Sequence, residues 1–131
     1  RLNKKRYTKG LEAKEFFMKL YNADCEKIAI ENPVPNQIYG LPEKTQIIRP
    51  CMFGHPFIKG TQLWLKGLPL LKPTKIVKPK IMWCPPGFYS GKYKEKNLGI
   101  FTQYSAKIRN KTFPEIAEAM AKQWAGINVH E

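Results

Sequence analysis

The sequence predicts one α/β domain assembled as helix, strand, β-hairpin, long basic loop and C-terminal helix. Three observations carry that expectation. A helical apolar stripe runs directly into the short β-branched stretch Ile28-Ala29-Ile30; two further strand-like runs flank a Gly-Pro turn; and a Thr-Phe-Pro-Glu start signal opens a last helix. At 131 residues the chain matches one ordinary domain with a real core.

In chain order, Arg1 to Lys9 is a basic run around Tyr7, suited either to a phosphate backbone with a stacking base or to a solvated lead-in to a helix. The helix is expected from Thr8, as cap, to Ala23. Ala13, Phe16, Phe17 and Leu20 fall at i, i+3, i+4 and i+7, one stripe expected to be core.

The organising stretch is Ile28 to Pro33. A strand from Glu26 to Glu31 is expected to stop at Glu31-Asn32-Pro33, because proline has no N–H for a ladder. A carboxylate at the carboxyl end of a buried strand stands where open α/β sheets bind ligands. The alternative is ordinary turn chemistry with a solvated Glu31. A turn-rich loop from Pro33 to Lys44 then holds Tyr39, which either serves function, as residues on long ordered loops after strands often do, or covers the core.

Thr45 to Arg49 and Thr61 to Lys66 read as two strands of a hairpin, with Phe53-Gly54-His55-Pro56 as a tight turn between them. Lys72 to Asn97 differs in material. Lysines, among them Lys78, Lys80, Lys92 and Lys94, interleave with Trp83, Phe88, Tyr89 and Tyr93. That composition suits a groove for a nucleic-acid strand, or a proline-rich surface excursion; residues 72–100 are read as a basic, aromatic-rich insertion. Thr112 and Glu115 have capping-box spacing, Pro114 suits a first turn, Ile116, Ala119, Met120 and Gln123-Trp124 face inward, and Gly126 ends the helix.

Lys plus Arg outnumber Asp plus Glu by 23 to 10, a net charge of +13 that points to a polyanion, most simply nucleic acid. Three widely spaced cysteines without a CxxC pair suit a reducing compartment, and no run reaches membrane-spanning length, so a cytoplasmic protein is expected. Cys51 and His55 lack a second close pair, so no metal site is expected. The chain opens on Arg1 and is read as processed, truncated or incompletely represented. No GxGxxG, Walker loop, HExxH or Ser-His-Asp set is present.

Several segments together carry a family resemblance: Ile30-Glu31-Asn32-Pro33; Phe53-Gly54-His55-Pro56 with Lys59 and Thr61-Gln62-Leu63-Trp64-Leu65-Lys66-Gly67-Leu68-Pro69; and Arg109-Asn110-Lys111-Thr112-Phe113-Pro114-Glu115-Ile116-Ala117. In that order they resemble the C-terminal half of phage and prophage DNA cytosine-5 methyltransferase-like proteins, over roughly Tyr7 to Trp124. The resemblance implies part of a Rossmann-like methyltransferase sheet, with residues 1–131 forming a single domain or the C-terminal half of a larger one. It implies that Glu31, matching the Glu of the family's Glu-Asn-Val, holds a flipped cytosine, with Asn32 orienting the neighbouring backbone and Pro33 replacing Val. The physical logic is a carboxyl group shielded from water, binding the Watson-Crick edge.

The resemblance further implies phosphate contacts by Lys59 and the basic excursion, including Lys78, Lys80, Lys92 and Lys94. Asn110 matches a residue of the family's cofactor pocket, although the family's preceding glycine is Arg109 here. Where the family has Gln and two Arg, this chain has Phe57, Lys59 and Thr61, and lysine meets phosphate as a point charge without the arginine fork. The implied cofactor is S-adenosylmethionine. Its Gly-rich loop and the Pro-Cys nucleophile belong to an N-terminal half that these residues do not include; Pro50-Cys51 follows Glu-Asn-Pro in the wrong order, and Cys51 reads as a buried small residue. The expectation is the base-binding, DNA-facing half of such an enzyme, inactive as this chain alone. The alternatives are a non-catalytic nucleic-acid-binding module or methyltransferase remnant, and an interaction domain whose charge serves solubility.

Overall fold

The computed structural model of the chain describes residues 3–83, 99–101 and 112–126. These form a mixed α/β structure in two compact units, Arg1–Ile47 with Thr61–Leu70, and Ile48–Gly60 with Leu71–Glu131.

The first unit opens with helix α1, Lys4–Tyr21. Its cap is Asn3, not Thr8: the Asn3 backbone is extended and its Oδ1 accepts from the Arg6 N–H at 3.1 Å. Thr8 lies inside the helix and donates its hydroxyl to the Lys4 carbonyl at 3.0 Å. Lys4 to Lys9 of the basic run expected as a possible lead-in are thus helical. Lys4, Lys5 and Arg6 occupy a first turn without an acidic residue, against the helix dipole.

Strand β1 spans Ile28–Pro33 and pairs antiparallel with β4, Thr61–Lys66. With β2, Gln46–Ile48, they make a three-stranded antiparallel sheet in the order β1-β4-β2. The expected hairpin partners, β2 and β4, are therefore neighbours, but β1 has joined the far side of β4. The expected stop at Glu31 is also corrected, since the ladder continues through Asn32↔Gln62 to Pro33↔Thr61. Proline is tolerated because β1 is the edge strand of this sheet, where a residue without an N–H can turn that side away from its neighbour.

α1 meets the sheet through Phe17, whose ring packs edge-on against Trp64 at 4.9 Å. Trp64 is buried and its indole N–H donates to the Pro42 carbonyl at 2.9 Å. Of the stripe expected in the core, only Phe17 is buried; Phe16 is 65% exposed, Leu20 is 41% exposed and Ala13 is exposed. The sheet is too narrow to cover the full width of a helix face, so one ring docks and its neighbours, about 100° apart around the axis, remain outside. Gly67, just after β4, has φ +65°, and a Cβ there would overlap the Glu26 backbone carbonyl.

In the second unit, β3 (Phe57–Ile58), β5 (Ile81–Trp83) and β6 (Gly99–Phe101) form a parallel sheet in that order. Two connections thus hold strands: the segment joining the expected hairpin carries β3, and the expected long basic loop carries β5. Both runs are too short for a periodicity signal, and each is a strand only because a partner supplies its hydrogen bonds. Gly54, at φ +90°, turns the chain where the tight turn was expected, and the His55 N–H donates to the Pro50 carbonyl at 3.2 Å.

Helix α2, Pro114–Ala125, starts at Phe113 and has no side-chain cap. The expected Thr112–Glu115 capping box does not form, because with Pro114 at the first helical position Glu115 falls one residue short of the box register. Ile116 and Ala119 are buried as expected, Gly126 ends the helix at φ +67°, and the Gln123 amide exchanges two hydrogen bonds with the Lys72 backbone at 2.8 and 2.9 Å. Among the described residues no helix is long and apolar enough to cross a membrane.

Candidate functional site

The first unit contains an apolar groove of about 400 Å³ between α1 and β1. One wall comes from Gly10, Ala13, Phe16, Phe17 and Leu20 of α1; Ile30, Glu31 and Asn32 of β1 and then Pro35, Tyr39 and Leu41 form the other side. Lys14 brings an ammonium group to it.

Strand register sets the orientation of the two residues first singled out. Ile30 is paired with Trp64, and Trp64 meets α1, so Ile30 and Asn32 share the face towards the helix while Glu31 alternates to the other. Glu31 is exposed, Asn32 half-buried, and Glu31 meets the groove at its rim. The expectation of a strand-end carboxylate shielded from water is corrected: Glu31 lies within an antiparallel edge strand and is exposed.

Tyr39 was expected either to serve function or to cover the core. It sits in a 3-10 turn, Gln37–Tyr39, held by the Asn36 side chain, which accepts from the Ile38 N–H at 3.1 Å. Its ring stacks on Tyr7, with centroids 5.9 Å apart and planes 16° from parallel. The Tyr39 ring occupies the space that a Cβ at Gly10 would fill, so glycine at this helical position is what admits the ring. At the following turn Gly40 has φ +58°, and a Cβ there would lie 3.9 Å from Lys14 Nζ. Gly10, Lys14, Asn32 and Tyr39 thus share the lining of the groove, a grouping invisible in sequence because three separate segments contribute to it.

The other residues singled out from sequence belong to the second unit or lie outside the described residues. Lys59 follows β3 and is half-buried, Lys78 and Lys80 are exposed, and the Lys80 N–H donates to the Pro56 carbonyl at 3.0 Å. Lys92, Lys94 and Asn110 lie outside the described residues, as do Phe88, Tyr89 and Tyr93. Cys51 is a free, half-buried thiol in the turn Pro50–Met52. His55 packs against Phe113 at 4.7 Å, and Phe113 against the buried Phe57 at 5.6 Å, which makes His55 part of an aromatic cluster. Among the described residues no three His, Cys, Asp or Glu side chains converge as metal ligands.

No protein family, no curated protein and no solved structure matches the chain. The site's chemistry must therefore carry the functional argument.

Proposed function

We propose that this chain is the base-binding, DNA-facing half of a cytosine-5 methyltransferase-like protein of phage or prophage type. The observation that carries the reading is that Glu31 and Asn32, chosen from sequence for base recognition, border the same apolar groove. A base is a flat apolar surface with a polar edge. An apolar slot with Asn32 on the face towards the helix and Glu31 beside it in the lining offers both parts. A carboxylate there accepts from the exocyclic amine of cytosine, and its protonated form donates to the ring N3.

The strand order is compatible with part of a larger Rossmann-like sheet. Doubly wound sheets often carry antiparallel strands at one edge, and β4 and β2 would form that edge, with β1 adjoining the strands of a complementary half. Phe16 and Leu20, exposed on α1, would then lie at the junction. S-adenosylmethionine would be bound chiefly by that complementary half, because the described residues offer no glycine-rich loop after a strand. Lys59, Lys78 and Lys80 would meet phosphates.

The test is equilibrium binding of the chain to duplexes that carry one unpaired cytosine or an abasic site at the same position. Preference for cytosine by about tenfold is expected, in line with a good polar base contact, and Glu31→Gln should lower that preference without changing the salt dependence. Equal binding of both duplexes would refute the base-binding role. The charge of +13 favours a second reading, a non-catalytic nucleic-acid-binding module, which the same outcome would then support.

A further inference from the structure

The base-binding groove does not account for the stacked tyrosines beside it. Tyr7 has one ring face against Tyr39 and is 39% exposed, large for an aromatic ring already engaged on one side. Helical spacing puts Lys4, Tyr7, Leu11 and Lys14 on one stripe of α1, at i, i+3, i+7 and i+10, with Glu15 one turn beyond Leu11 and Glu12 about 80° to 160° round the axis from the four. Lys4 stays exposed at a helix end whose dipole disfavours a cation, so local stability does not explain its presence. Tyr39 and Lys14 also line the groove, so the tyrosine pair and the groove are continuous.

We infer that the Tyr7–Tyr39 pair is a stacking platform for the nucleotide next to the one in the groove, with Lys4 and Lys14 on the flanking phosphates. The partner is a single-stranded segment of nucleic acid, since only a base outside a duplex offers its face to a ring. Tyr39, fixed by its turn and by Gly10, backs Tyr7 and keeps its outer face presented. The inference extends the proposed base-binding function, but it needs only that a strand pass the groove, not that Glu31 read a base.

The experiment is fluorescence anisotropy of the full chain with a labelled thymine oligonucleotide of about 12 nucleotides, within the usual range of single-strand site sizes. Tyr7→Ala should weaken binding about 5- to 100-fold, the range expected for loss of one stacked base, and Tyr7→Phe should retain it. The pair Lys4→Ala and Lys14→Ala should reduce the slope of log affinity against log salt by about 1.4, from about 0.7 per single-strand phosphate contact. With the unaltered chain, a strand of the same length lacking bases should bind more weakly than the thymine strand. Tyr7→Ala binding as tightly as the parent while folded by circular dichroism, or the abasic strand binding as tightly as thymine, would overturn the platform. The thymine strand tests stacking and the unpaired-cytosine and abasic duplexes test base reading, so failure of the platform is distinguishable from failure of the base-reading role.

Discussion

Two glycines show how the identity of the obstructing atom decides the effect of a methyl group. A Cβ at Gly10 would meet the hydroxyl end of Tyr39, a side chain that can swing away, whereas a Cβ at Gly67 would meet the Glu26 backbone carbonyl with φ already at +65°. Gly10→Ala also gains helix propensity of up to about 1 kcal/mol, which offsets the displacement. Its unfolding free energy in urea should therefore stay within about 1 kcal/mol of the parent, while the near-ultraviolet tyrosine signal changes as the Tyr7 stack is lost. Gly67→Ala has no such release and should be destabilised by about 2–3 kcal/mol. Equal effects at the two positions would show that Tyr39 cannot swing away from α1.

At the scale of elements, helix starts and strand ends depend on which backbone groups find partners. The helical periodicity of α1 was legible, but its start was placed at Thr8 because Thr8 precedes the apolar stripe. Asn3 wins because asparagine is the stronger cap and the Lys-Arg turn after it propagates a helix well. Asn3→Ala should accordingly destabilise the first unit by about 1 kcal/mol and Thr8→Ala by much less, measured by chemical denaturation followed at 222 nm. The opposite ranking would restore the start at Thr8. β1 shows the converse case. Pro33 reads as a ladder terminator, yet it stays in register with Thr61 because an edge strand has one side on which a missing N–H costs nothing.

For the whole molecule, charge is the property with the farthest reach. With +13 on 131 residues, attraction to a phosphate backbone acts before any base is read. Binding to duplex DNA of unrelated sequence should fall by about a factor of 10³ or more between 50 and 200 mM salt if about six phosphates are met. Affinity flat across that range would mean that the charge serves solubility. The site itself was legible only in pieces. Glu31, Asn32 and Tyr39 could be picked out because a carboxylate after an apolar strand and an aromatic in a turn-rich loop are local anomalies. Gly10 and Lys14 carried no such mark.

By itself the sequence determined helices α1 and α2, the strand that carries Glu31, the turn at Gly54, the end of α2 at Gly126 and the electrostatic character, since each depends on local backbone preference or on a sum of charges. Tertiary structure decided the rest. It inserted β4 between β1 and β2, formed a parallel sheet from runs of two or three residues, and left Phe16 exposed beside a buried Phe17. It also brought Gly10, Lys14, Asn32 and Tyr39 into the lining of one groove and stacked Tyr7 on Tyr39. Long-range pairing chooses among strands of similar local propensity by which partner satisfies the most backbone groups and covers the most apolar surface, and that comparison exists only in the folded chain.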